Sequence, residues 1–109
     1  MILFKPHHIE MIRSGRKTAT RRDWKAPRAR VGSVHKIKTK MLSKESEGTI
    51  LITAVYWEPL GSMTTADAQA EGYATVAEYR AEWERINGPG SWDPDKWVWV
   101  VNFEYIGGD

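Results

Sequence analysis

The chain of 109 residues contains no cysteine. Disulfides, thiolate nucleophiles and cysteine-ligated zinc are therefore excluded. No apolar run approaches the ~20 residues of a membrane-spanning helix, so no membrane partner is expected. The opening Met1-Ile2-Leu3-Phe4-Lys5-Pro6 becomes charged too soon for a secretory leader. The expected compartment is the cytoplasm. Internal repeats and low-complexity tracts are also missing. Acids are scarce in one region: between residues 13 and 40 the only carboxylate is Asp23. It stands against Arg13, Arg16, Lys17, Arg21, Arg22, Lys25, Arg28, Arg30, Lys36, Lys38 and Lys40. Residues 58–95 reverse the balance, with Glu58, Asp67, Glu71, Glu78, Glu82, Glu84, Asp93 and Asp95 against Arg80 and Arg85. A basic half is the usual footprint of a phosphate-bearing partner. The alternative is a dipolar domain whose halves attract each other.

What is present is enough for one soluble domain over residues 1–109. Apolar residues make up 41% of the chain, which supports a single core of modest size. The organising stretch is Ser14-Gly15-Arg16-Lys17-Thr18-Ala19-Thr20-Arg21-Arg22-Asp23. A packing strand would alternate apolar and polar side chains, but Ala19 is the only apolar member here. Gly15 frees the backbone to turn. Lys17 brings an amine whose pKa can be moved. Thr20 brings a hydroxyl, and Arg21 and Arg22 bring fixed positive charge.

Ile2-Leu3-Phe4 reads as a short buried strand. Pro6 suits a first helical position, and Gly15 suits a helix C-terminus, so a helix is expected from about Pro6 to Arg13. His7 and His8 raise a metal site, which the spacing argues against. Adjacent helical residues do not share a face, only His35 remains as a further histidine, and no acid spacing completes a set. Thr18, Thr20 and Arg22 would share one strand face, with Lys17 in the turn before it. The loop from Trp24 to Arg30 carries an aromatic and three cations, including Arg28. It would stack on a base and touch phosphate, or tuck Trp24 into the core. Ser33 to Met41 alternates, placing Lys36, Lys38 and Lys40 on one wet face. Thr49 to Trp57 is apolar on both faces and is expected to be central.

Thr64-Thr65-Ala66-Asp67 has capping-box spacing and starts a helix that stops at Gly72. Glu71 falls in its last turn, where a carboxylate opposes the helix dipole by about 0.3–1 kcal/mol. Thr75-Val76-Ala77-Glu78 starts a second helix with Val76, Tyr79, Trp83 and Ile86 as its buried stripe. Lys96 to Ile106 closes the chain as a strand with two apolar faces. The pattern is α+β. A small β-barrel with two to three short helices on its rim is the first reading, and an open α+β sheet is the second.

The run Gly15-Arg16-Lys17-Thr18-Ala19-Thr20-Arg21-Arg22, the segment Asp67-Ala68-Gln69-Ala70-Glu71-Gly72-Tyr73, the tryptophan-bearing helix and the strand Trp97 to Tyr105 together resemble the ASCH domain, a PUA-like β-barrel superfamily linked to RNA. The resemblance covers almost the whole chain. Among ASCH proteins the chain is most similar to the small bacterial 4-acetylcytidine amidohydrolases. In those, a lysine, a threonine three residues later and a distant glutamate form the proposed catalytic set. The resemblance implies that Lys17, Thr20 and Glu71 play these parts. Neither a cofactor nor a metal is expected.

Amide hydrolysis needs a nucleophile, a base and an oxyanion stabiliser. Thr20 is a candidate nucleophile and Lys17 its base, provided burial and Arg16, Arg21 and Arg22 lower the lysine pKa. Glu71 would orient Lys17 or pass a proton to the leaving amine. Arg22 is the candidate for oxyanion or phosphate contact. In the alternative, a water attacks and Thr20 positions it. Two other classes stay open. A non-catalytic RNA-binding module would work through Trp24, Arg28, Lys36, Lys38 and Lys40. A ribonuclease would need Lys17 to stabilise a phosphorane. The expected partner is a modified nucleoside or RNA, and the expected state is a monomer.

Overall fold

The computed structural model describes residues 1–108. In chain order its elements are β1 (Ile2–Leu3), α1 (Pro6–Arg13), β2 (Ala19–Arg22), β3 (Val34–Lys38), β4 (Thr49–Pro59), α2 (Thr65–Ala70), α3 (Val76–Asn87) and β5 (Trp97–Gly107). A single 3-10 turn, Leu60–Ser62, leads from β4 towards α2. The helix starts follow the sequence signals. Pro6 opens α1. The Thr64 hydroxyl accepts from the Asp67 amide while the Asp67 carboxylate accepts from the Thr64 amide, closing a full capping box. The Thr75 hydroxyl accepts from the Glu78 amide.

The strands form one mixed sheet in the order β1-β3-β4-β5-β2. β4 is the middle strand, as its two apolar faces require. β1 pairs with β3 in parallel, and the other pairings are antiparallel. The β4–β5 register skips Thr53, since Ile52 faces Phe103 and Ala54 faces Asn102. This bulge shifts which residues look inward. Ile50 and Ile52 face the core before it, and Val55 packs against the same core after it.

The two faces of β5 enter different clusters. Val101 and Phe103 pack with Ile9 and Ile12 of α1 and with Ile37, Ile50 and Ile52. Val98 packs with Ala68, Tyr79 and Trp83 of α2 and α3. These two covered faces explain the doubly apolar pattern without barrel closure. The sheet is open, so the second sequence reading holds and the closed barrel is corrected. The physical reason lies at the edges. β1 has two residues before Lys5 and Pro6 divert the chain, which is too short for a ladder to β2. A side chain spans the gap instead: Arg22 Nη2 donates to the Leu3 carbonyl at 2.6 Å, and its guanidinium lies 4.8 Å from the Phe4 ring centroid.

Two further differences concern surface residues. The alternating strand after Ser33 ends at Lys38, so Lys40 lies beyond it, and Lys38 Nζ donates to the Ser43 carbonyl. The three lysines do not make a continuous strand face. Ile86 is 41% exposed rather than part of the buried stripe.

Candidate active site

The gap between β1 and β2 is a cavity of about 350 Å³. Its lining includes Phe4, Lys17, Thr20, Arg21, Arg22 and Glu71. The backbone brings the first half of this set to the second. After α1, the amides of Arg16 and Lys17 both donate to the Met11 carbonyl. The Thr18 amide donates to the Ala70 carbonyl at 2.7 Å, and the Thr18 carbonyl accepts from Phe103. The turn is thereby fastened to the C-terminal end of α2, and Lys17 arrives beside Glu71. Gly72 follows with φ +99°, and a Cβ there would lie 2.7 Å from Met11 Sδ. A glycine is needed on both counts.

Lys17 and Thr20 are both buried, at 2% and 4% exposure. Lys17 Nζ donates to Glu71 Oε1 at 2.8 Å and to the Glu71 carbonyl at 3.3 Å. Arg21 Nη1 donates to Glu71 Oε2 at 3.1 Å. These two cations explain why a carboxylate is tolerated at the dipole-opposed end of α2. Burial is the largest influence on Lys17 and pushes its pKa down; the Glu71 carboxylate resists, and Arg22 and Arg21 add to the lowering. Burial also disfavours charge on Arg21, but Glu71 and Glu58 outweigh it and hold the guanidinium firmly protonated.

The two arginines differ in what they leave available. Arg22 Nε donates to Thr20 Oγ1 at 2.9 Å and Nη2 to Leu3, so two of its donors are engaged. The Thr20 hydroxyl accepts there, which leaves its own proton for another group. Arg21 Nη2 donates to Glu58, whereas the buried Nε has no hydrogen-bond partner among the described residues.

The remaining sequence candidates lie elsewhere. Arg16 is exposed, with Nε 3.4 Å from Ser14 Oγ. Trp24 packs against the α1-side core, the second of the two roles open to it. Arg28, Lys36 and Lys40 are exposed, and none of the three, nor Lys38, lines the cavity.

Several lining residues were not singled out as functional. Tyr79 and Trp83 read as core, and Glu82 carried no signal beyond its place inside that stripe. A carboxylate between Tyr79 and Trp83 on a buried face was the available clue. Glu82 is 7% exposed, and its Oε2 lies 2.6 Å from His7 Nε2 and 2.7 Å from His8 Nε2. Adjacent positions on α1 therefore do not keep the two histidines apart, contrary to what their spacing predicts. Both rings curl towards one carboxylate that sequence separation concealed. Burial pushes Glu82 up, but hydrogen bonds from His7, Tyr73 and Arg85 prevail and hold it at about 2. Burial, with Lys17 and His7 nearby, lowers His8 to about 4.

Comparison with known proteins shows the fold. No protein-family model matches the chain, and no curated protein matches its sequence. Solved structures do. An ASCH domain from Lactobacillus crispatus JV V101 superposes with a TM-score of 0.76 at 14% identity, covering 93% of this chain and 71% of that one. A protein from Enterococcus faecalis V583 gives 0.73 at 20% identity, covering 97% and 75%. The ASCH protein of Zymomonas mobilis gives 0.63 at 15% identity, covering 95% and 68%.

Proposed function

With the ASCH, PUA-like fold as premise, we propose that this chain is an amidohydrolase that removes an acyl group from an acylated cytidine-type nucleoside. The observation that carries the reading is a buried lysine with a lowered pKa, paired to Glu71 in the cavity that also holds Thr20. Such a cavity is of a size for a small ligand. Phe4, Tyr79 and Trp83 offer apolar walls for a base.

Neutral Lys17 accepts the proton of the attacking hydroxyl, whether that belongs to Thr20 or to a water held by Thr20. Attack on the acyl carbon forms the tetrahedral oxyanion. The buried Arg21 Nε, with no hydrogen-bond partner among the described residues, is the donor assigned to that charge. It replaces Arg22 in the role, since Arg22 already holds Thr20 and Leu3. Lys17 then passes its proton to the leaving exocyclic amine, and Glu71 keeps the ammonium oriented between the two steps. Collapse of the oxyanion breaks the carbon–nitrogen bond and releases the cytidine; where water attacked, the acid leaves with it, and where Thr20 attacked, a water that gives its proton to Lys17 then hydrolyses the acyl-Thr20 ester, freeing the acid and restoring the hydroxyl.

The test is incubation with N4-acetylcytidine followed by chromatography. Cytidine and acetate should appear with the wild type. Thr20→Ala and Lys17→Met should each lose nearly as much rate as the double variant, because a nucleophile and its base act as a unit. Intact substrate after incubation with the wild type would end the reading.

A second reading, a non-catalytic RNA-binding module, has one observation in its favour. Trp57 and Trp97 are 44% and 49% exposed, and Trp57 lies 4.8 Å from the Trp99 ring, centroid to centroid. Exposed indoles of this kind are stacking platforms for unpaired bases.

A further inference from the structure

His7 and His8 occupy the first turn of α1, and Glu82 lies in the middle of α3. Their ligand atoms all fall within 4.8 Å of one another. The two imidazoles are tilted at 54° with centroids 4.3 Å apart, and both Nε2 atoms point at the same carboxylate oxygen. Tyr73 Oη is 2.8 Å from His8 Nε2.

The contacts around these nitrogens exceed what protons can satisfy. A ring nitrogen carries either one proton or one lone pair. His7 Nε2 lies 2.6 Å from Glu82 Oε2 and 3.1 Å from Arg85 Nη2. If it donates to the carboxylate, its N–H faces the guanidinium N–H. If it accepts from Arg85, its lone pair faces the carboxylate at 2.6 Å. Either choice leaves one close contact between like polarities. A cation among the three atoms removes the conflict by taking both lone pairs and the carboxylate together.

We infer that His7, His8 and Glu82 form a site for one first-row divalent cation of the zinc class. Two imidazoles and a carboxylate suit zinc and its neighbours, whereas magnesium and calcium prefer oxygen alone. Three protein ligands leave a coordination position open. That position faces the cavity, because His8 and Glu82 line it and His7 does not. Among the described residues, Arg85 is the cation in direct contact with both His7 and Glu82. Its side chain is 58% exposed and pairs with Glu82 Oε1, so it swings outward from His7 while still bracing the carboxylate. The site needs neither Lys17 nor Thr20 and stands apart from the hydrolytic reading.

The experiment uses the full chain, stripped with chelator and dialysed. Zn²⁺ is titrated by calorimetry, and Co²⁺ by its visible absorption. The wild type should bind one equivalent of each, with a zinc-dependent rise in the thermal midpoint. His7→Ala decides the question first, since His7 is half-exposed and its loss leaves the core intact. It should lose stoichiometric binding, as should Glu82→Gln, while His35→Ala should bind like the wild type. If Glu82→Gln does not fold, His7→Ala alone is decisive. A wild type that takes up no stoichiometric metal, or a His7→Ala protein that binds as the wild type does, overturns the inference.

Discussion

Among the described residues, Lys17 has one carboxylate partner, whereas Glu71 has two cationic ones. This imbalance sets what each substitution does. Removing a buried charge that leaves its partners uncompensated costs about 3–5 kcal/mol. Glu71→Ala leaves Lys17 with only a backbone carbonyl and deprives Arg21 of its most buried partner, so it should fall in that range. Lys17→Met leaves Glu71 neutralised by Arg21 and replaces the stem with apolar volume, so its cost should be clearly smaller. Urea unfolding of the two variants at neutral pH checks the order. Lys17 and Thr20 were legible as site candidates because chemistry-bearing side chains occupy a run with almost no apolar members. Their burial was not legible. It comes from α2, some fifty positions away along the chain, closing over a turn that looks solvent-exposed in isolation.

The helices were readable because their signals are local. Pro6, the Thr64–Asp67 box and the Thr75–Glu78 pair act within one turn. The end of α2 was readable for the opposite reason, since Glu71 sits where a structural helix would place a cation. Contacts between elements left weaker marks. Glu82 meets His7 and His8 across 75 and 74 positions, and no periodicity in either helix announces it. The end of β3 was misjudged because lysine alternation continued past Lys38, where the chain bends. At this scale Gly72 is the most constrained junction. Gly72→Ala forces a side chain into left-handed backbone and against Met11, and should cost about 1–3 kcal/mol. Gly15→Ala has comparable φ and open space around its Cβ, so it should cost less. Thermal unfolding of the pair separates strain from collision. Because Gly72 follows Glu71, only the first variant should also disturb activity.

Across the whole molecule, the opposed charge halves resolve partly as internal pairing. Lys17 and Arg21 from the basic half meet Glu58, Asp67 and Glu71 from the acidic one. The doubly apolar strands made the α+β class readable. They did not settle closure, because a curved sheet covered on both faces and a barrel place the same demands on side-chain alternation. The distinction rests on β1 being two residues long. The unclosed seam is where the cavity lies, so the same short strand that opens the sheet provides the site.

The central claim is that Lys17 acts as a base and not as a fixed charge. Its direct test is the pH dependence of kcat/KM for N4-acetylcytidine, measured for the wild type and for Lys17→Arg. Arginine keeps the positive charge beside Glu71 but cannot release its proton. Burial lowers the Lys17 pKa, so the neutral base gains population as pH rises through that lowered value. The wild-type rate should therefore climb towards alkaline pH along a limb whose midpoint lies below the ~10.4 of free lysine. Lys17→Arg, folded by circular dichroism, should lose about 10²–10⁴-fold at every pH and show no such limb. A Lys17→Arg protein with wild-type turnover and the same pH limb would contradict the account.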